Sequence, residues 1–236
     1  MKRINCIICL IIFSFLFSCT PHPTAAPQTD YAATLAEYRI YAEYAIRGEI
    51  ETRFEDEVMS GAQPWNHWYG LMNWAGLFWW PLSYDAFGYA IEDLNKDGTP
   101  ELILLLRDYS VFAIFTTVDG EPILLGDYYT RHRCAILDSG LLYTWSSSGE
   151  DEWEFALQQI SPDSRELLYI VQYGSTTGGE LEQHEQHYYK IIEGTEMIIS
   201  EMELAAFLEQ NPLFGDTTPK EITKKSGIVF IPLFDS

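Results

Sequence analysis

The stretch Tyr89–Asp108, "YAIEDLNKDGTPELILLLRD", reads as two strands joined by an acidic turn. "ELILLL" is a short run, apolar after Glu101 and set off by turn residues, which reads as a strand. Before it, Asp93, Asn95 and Asp97 alternate, Gly98 follows, and Thr99 and Glu101 continue the alternation. Calcium gathers roughly six to eight hard oxygen ligands at about 2.3–2.6 Å, and a tight loop supplies them when alternate residues turn inward. Gly98 permits the sharp turn, and Thr99 offers its backbone carbonyl. The same residue types also favour a metal-free Asp-Gly hairpin turn. Three carboxylates crowded into one turn repel unless a cation neutralises them, so the expectation is a structural calcium site. Its ligands are Asp93, Asn95, Asp97, Thr99 and Glu101.

The twelfth loop position, where an EF-hand places a bidentate glutamate, is Leu104, and both flanks read as strands rather than helices. The stretch resembles the strand–loop–strand calcium turn of FG-GAP and VCBS repeats. It is also similar to a D-x-D-x-D-G-x-P-E-L segment of secreted bacterial proteins. Those repeats build propellers from several blades, whereas the motif occurs once in this chain. A single calcium hairpin within a sheet is the consistent expectation.

Downstream, "VFAIFTTV", "PILLGDYY", "CAILD", "LLYTW", "EFALQQI", "ELLYIVQY" and "HYYKIIE" are strand-like runs. They are divided by "VDGE", "DSG", "SSSGED", "SPDS" and "GSTTGG", which are hairpin-type punctuation. Connections this short favour antiparallel neighbours. Upstream, Asp30 offers an N-cap, and Leu35, Tyr38, Ala42, Ala45, Ile46, Ile50, Phe54 and Val58 form one apolar stripe of a long helix, which Gly48 can divide. "SEMELAAFLEQN" opens with Ser200 and carries Glu203 three residues on, a capping box for a short late helix. "GIVFIPL" reads as a last strand. The expected fold class is α+β: a long N-terminal helix packed on an antiparallel β-meander, with a short late helix, in a single domain over residues 30–236.

The first residues read differently. "MKR" precedes the apolar run "INCIICLIIFSFLF", which is shorter than the ~20 residues a spanning helix needs and suits a signal-peptide core. Leu16, Phe17, Ser18 and Cys19 together resemble the type II signal of bacterial lipoproteins. That resemblance implies cleavage before Cys19, a lipid on its thiol, and anchorage on the extracytoplasmic face of the cell membrane. Residues 1–18 are then the signal and residues 19–29, rich in proline and threonine, a tether.

Charge and cysteines narrow the function classes. Fourteen Lys and Arg against 35 Asp and Glu give a formal charge of −21, a field that repels phosphate backbones and disfavours nucleic-acid binding. Beyond Cys19 only Cys134 remains, so no internal disulfide is expected, and its apolar setting reads as a buried structural thiol. Trp65, Trp68, Trp74, Trp79 and Trp80 cluster together. Trp65, Trp68, Leu71, Met72, Ala75, Phe78 and Trp79 share a helical period that suits a core. Trp74 and Trp80 lie off that stripe and are the candidate glycan-stacking residues. His184 and His187 lack a third ligand, and G-x-S-x-G and phosphate-binding glycine loops are absent. No catalytic residue is assigned. The expectation is a non-catalytic binding or interaction module whose partners are the membrane and a glycan or envelope protein; the alternatives are a carbohydrate-active hydrolase and a structural accessory lipoprotein.

Overall fold

The computed structural model describes residues 31–53, 70–73, 82–148, 152–163, 165–178, 185–192, 194–210 and 219–234. The expected signal, tether and Cys19 lie outside them, as do Trp65, Trp68, Trp74, Trp79, Trp80 and His184.

The run "ELILLL" forms β2 (Glu101–Leu106), and all six of its residues are buried. A sheet with one face in water alternates buried and exposed positions, so six in a row require cover on both faces. The neighbours are β1 (Phe87–Glu92) and β3 (Val111–Val118), and β3 buries its first six residues as well. With β4 (Glu121–Asp127) and the two-residue β11 (Ile231–Pro232) they make a five-stranded antiparallel sheet of order β11-β1-β2-β3-β4.

The chain then leaves this sheet and builds a second one. It contains β5 (His132–Ile136), β6 (Leu142–Ser147), β7 (Trp153–Ile160), β8 (Leu167–Gly178), β9 (Glu185–Ile192) and β10 (Thr195–Ile199). Every neighbour in it is antiparallel and consecutive in sequence. Among the described residues the sheets are accompanied by α1 (Ala32–Arg47), α2 (Glu201–Gln210) and α3 (Pro219–Lys225), with further helical backbone over residues 50–53 and 70–73 and a 3-10 turn at Tyr84–Ala86.

Three apolar clusters show how the layers stack. Tyr38, Tyr41 and Ala42 of α1 pack on Phe87, Leu102, Leu104 and Phe112 of the first sheet. From the opposite face of that sheet, Ala90, Ile103, Leu105 and Ile114 meet Cys134, Ile136, Leu142 and Ile160 of the second. The far face of the second sheet, with Tyr143, Phe155 and Tyr173, is covered by Leu204 of α2 and Ile222 of α3. Phe207 of α2 stacks on Tyr173 with ring centroids 4.0 Å apart.

This architecture corrects the expected fold class. The protein is mostly β, with two antiparallel sheets packed face to face, not one meander under a long helix. The helix that opens the described residues runs only sixteen residues, starting after Tyr31 rather than from an Asp30 cap. It is divided at Gly48, as the sequence allowed: the φ of 71° is the left-handed conformation that closes helices, the Gly48 and Glu49 N–H groups return to the Ala45 and Tyr44 carbonyls, and helical backbone resumes over residues 50–53. "GSTTGG" is not a divider either, because β8 continues through it to Gly178. Ser200 does cap α2, its Oγ accepting the Glu203 N–H at 3.2 Å.

Candidate functional site

The acidic turn joins β1 to β2, and its backbone folds around its own side chains. Asp93 accepts the N–H groups of Asp97 (3.1 Å) and Gly98 (2.9 Å). Asn95 Oδ1 accepts the same Asp97 N–H at 3.2 Å, while Asn95 Nδ2 donates to Asp97 Oδ2 at 2.8 Å. The other Asp97 oxygen accepts the Thr99 N–H at 2.7 Å. Left-handed backbone at Lys96 (φ 61°) and Gly98 (φ 94°) produces this tight winding.

Beneath the turn lies Glu101, fully buried. Its Oε2 accepts the Leu94 N–H at 2.8 Å and its Oε1 the Thr116 hydroxyl at 3.3 Å. Burial pushes this carboxyl from its ordinary 4.5 up to about 7. The Leu94 and Thr116 hydrogen bonds pull it down, and the charges of Asp97 and Asp93 push it further up. No Lys, Arg or His makes an ion pair with Glu101 among the described residues.

The turn thus brings Asp93, Asn95, Asp97 and Thr99 into one hydrogen-bonded loop, with Glu101 entering from the protein side. Among the described residues no three Asp, Glu, His or Cys side chains stand close enough to cage a metal ion. The donor set still fits a hard cation, because a carboxylate oxygen that accepts one N–H keeps a further lone pair. Without a cation the buried Glu101 carboxyl tends to keep its proton, and a cation in the turn would take that proton's place.

The turn also faces a pocket of about 370 Å³, lined by Asn95 and Asp97 on one side and by Ser139, Gly140 and Gln159 of the second sheet on the other. Leu94, the turn's second residue, joins Leu142 and Ile160 in the core between the sheets. Tyr31, just before α1, donates its hydroxyl to the Pro100 carbonyl at 2.8 Å. One loop therefore touches the helix layer and both sheets.

Cys134 is buried and free, and burial pushes its thiol up to about 12, which leaves almost no thiolate to react. Leu71 of the aromatic block is buried in the cluster beneath α1, in keeping with a core role for that stripe. The sequence reading missed Thr116, which sits in an ordinary strand pattern and gains its role only from the pairing of β2 with β3. It also missed a polar groove on the second sheet, described below.

No family model, no curated protein and no solved structure matches this chain.

Proposed function

We propose that this protein is a non-catalytic binding module on the extracytoplasmic face of the cell membrane, anchored by a lipid on Cys19. One calcium ion fastens its β1–β2 turn. The ion would be held by Asp93, Asn95, Asp97 and the Thr99 carbonyl, with Glu101 as the inner ligand. Its contribution is charge neutralisation and stiffness, not chemistry on a substrate. The observation that carries the calcium part of the reading is the buried Glu101 carboxyl, set under two further acids with no cation against it among the described residues, while the anchor rests on the sequence around Cys19. Such a burial is costly without a counter-charge.

The test is thermal unfolding of a soluble form beginning at Thr20, first in chelator and then in millimolar calcium. A ligand bound only by the folded state adds about 2.7 kcal/mol at a hundredfold excess over its dissociation constant, so the midpoint should rise by several degrees. Asp97→Ala should abolish the rise. An unchanged midpoint in the unaltered chain would reduce the turn to a hairpin connection and remove calcium from the reading.

A further inference from the structure

A groove of about 540 Å³ opens at one end of the second sheet, within the roughly 300–1,000 Å³ typical of small-ligand sites. The ladder register explains its floor. His132, Ser146, Glu154, Gly174 and Tyr189 stand opposite one another in sequence across five neighbouring strands, so they share one face, and Ser146, Glu154 and Tyr189 of this row line the groove together with Ser147, Trp153 and Ser175 of the adjacent row. Further into the protein the same face carries Cys134, Thr144 and Ala156 and is covered by the first sheet. At this end the row is polar, and Tyr129 and Arg131 stand beside it as a wall.

Gly174 gives the row its shape. A Cβ there would overlap the Tyr189 ring, so the missing side chain lets the ring tip settle onto the strand. From that position the Tyr189 hydroxyl donates to Glu154 Oε2 at 3.4 Å. Burial, followed by the Glu154 charge, raises the Tyr189 phenol above its ordinary range and keeps it a donor. Among the described residues Glu154 forms no ion pair, and it lines the groove with acceptor capacity to spare. Glu152, one pleat further out, is held by the Ser148 hydroxyl at 2.7 Å.

We propose that this groove binds a neutral saccharide, with Glu154 accepting ligand hydroxyls and Tyr189, Ser146 and Thr176 completing the polar floor. This inference rests on the binding-module reading above and moves its ligand site from Trp74 and Trp80 to the second sheet. The chemistry selects the class. Two carboxylates against one guanidinium disfavour an anion, and the floor offers directional hydrogen-bonding groups rather than an apolar surface. The Tyr129 and Tyr189 rings add the apolar faces on which a pyranose can rest. Glu154 belongs to β7 and Glu152 immediately precedes it, and both line the groove. Glycosidic cleavage needs carboxylates flanking the bond, so the arrangement suits binding rather than hydrolysis.

The experiment is calorimetric titration of the full chain with chitotetraose, cellotetraose and maltotetraose in millimolar calcium. It is repeated with Glu154→Gln, Tyr189→Phe and Gly174→Ala, each checked for an unchanged circular dichroism spectrum. At least one tetrasaccharide should bind, and Glu154→Gln should weaken it about tenfold or more, the loss expected for a hydrogen bond to a charged group. Tyr189→Phe should weaken it less, and Gly174→Ala, if it folds, should abolish it. Binding that survives both Glu154→Gln and Tyr189→Phe overturns the groove but leaves the binding-module reading standing. No binding by any of the three sugars overturns the saccharide assignment, while the calcium-dependent midpoint reports separately on the turn.

Discussion

Gly140, in the turn between β5 and β6, lies directly against the carbonyl of Leu94 in the acidic turn of the other sheet. Its φ of 81° is left-handed, and a Cβ at that position would overlap the Leu94 oxygen. Two hairpin ends from different sheets are thus fitted backbone to backbone. Gly140→Ala should lower stability by about 1–3 kcal/mol, the scale of a left-handed non-glycine residue, with the clash adding to it. Denaturant unfolding measures this. The calcium-induced midpoint shift should shrink in the same variant, because the turn is displaced from its seat. A shift of full size would show that the turn binds its ion independently of the second sheet.

Glu101 gives a pH signature. It holds its proton more tightly in the folded state, at about 7, than its ordinary 4.5. In chelator the folded state is therefore favoured most below about 4.5 and loses stability as pH rises towards 7, levelling off above it. Calcium competes with that proton, so the decline should flatten in excess metal. Glu101→Gln removes the titrating group and should flatten the chelator curve as well. Thermal midpoints from pH 4 to pH 8 (an order-of-magnitude window set by these values) check both statements.

Cys134 should resist labelling. In a form beginning at Thr20 it is the one cysteine, buried and with its thiol at about 12. A thiol reagent should react only after the sheets separate, at a rate that tracks opening. Mass spectrometry of native and denatured samples reads the contrast, and calcium should slow the native rate. Rapid native labelling would contradict the packing between the sheets.

Ser200→Ala removes the acceptor for the Glu203 N–H and should cost about 1 kcal/mol. The loss should be recovered by Ser200→Asp, which restores a capping oxygen at the same place. Because α2 carries Phe207 onto Phe155 and Tyr173, the near-ultraviolet dichroism of those rings should weaken in parallel.

Much of the local structure was legible in the residues. Turn chemistry placed "NKDG", "VDGE" and "DSG" between strands, and each contains a left-handed residue: Lys96 and Gly98, Asp119 and Gly120, Gly140. The Ser200 cap and the helix break at Gly48 followed from residue chemistry of the same local kind. What the pattern did not disclose was the division into two sheets. Alternation tells a strand which face is apolar, but not which neighbour covers it. The signal that was present is the solid burial of "ELILLL" and "VFAIFT", which demands a layer on either side. "GSTTGG" misled for a related reason. Gly174 looks like a turn residue in the sequence, yet it serves a tyrosine that arrives from the next strand. The candidate calcium ligands were legible because they are consecutive in the chain. Glu154 and Tyr189 were not, since only the register of β7, β8 and β9 brings them together.

The short β11 has a consequence for how the molecule is made. Gly88 and Tyr89 pair with Pro232 and Ile231, the Leu233 N–H reaches the Phe87 carbonyl at 3.0 Å, and Arg39 of α1 donates to the Leu233 carbonyl at 3.0 Å. The first sheet is therefore finished by residues that follow the whole second sheet in the chain. Closing so long a loop is slow, and until it closes β1 is an open strand edge. During that interval the half-assembled chain is open to pairing with a neighbour along the exposed edge. A protease that cuts between α3 and β11 would return the finished protein to the same vulnerable condition.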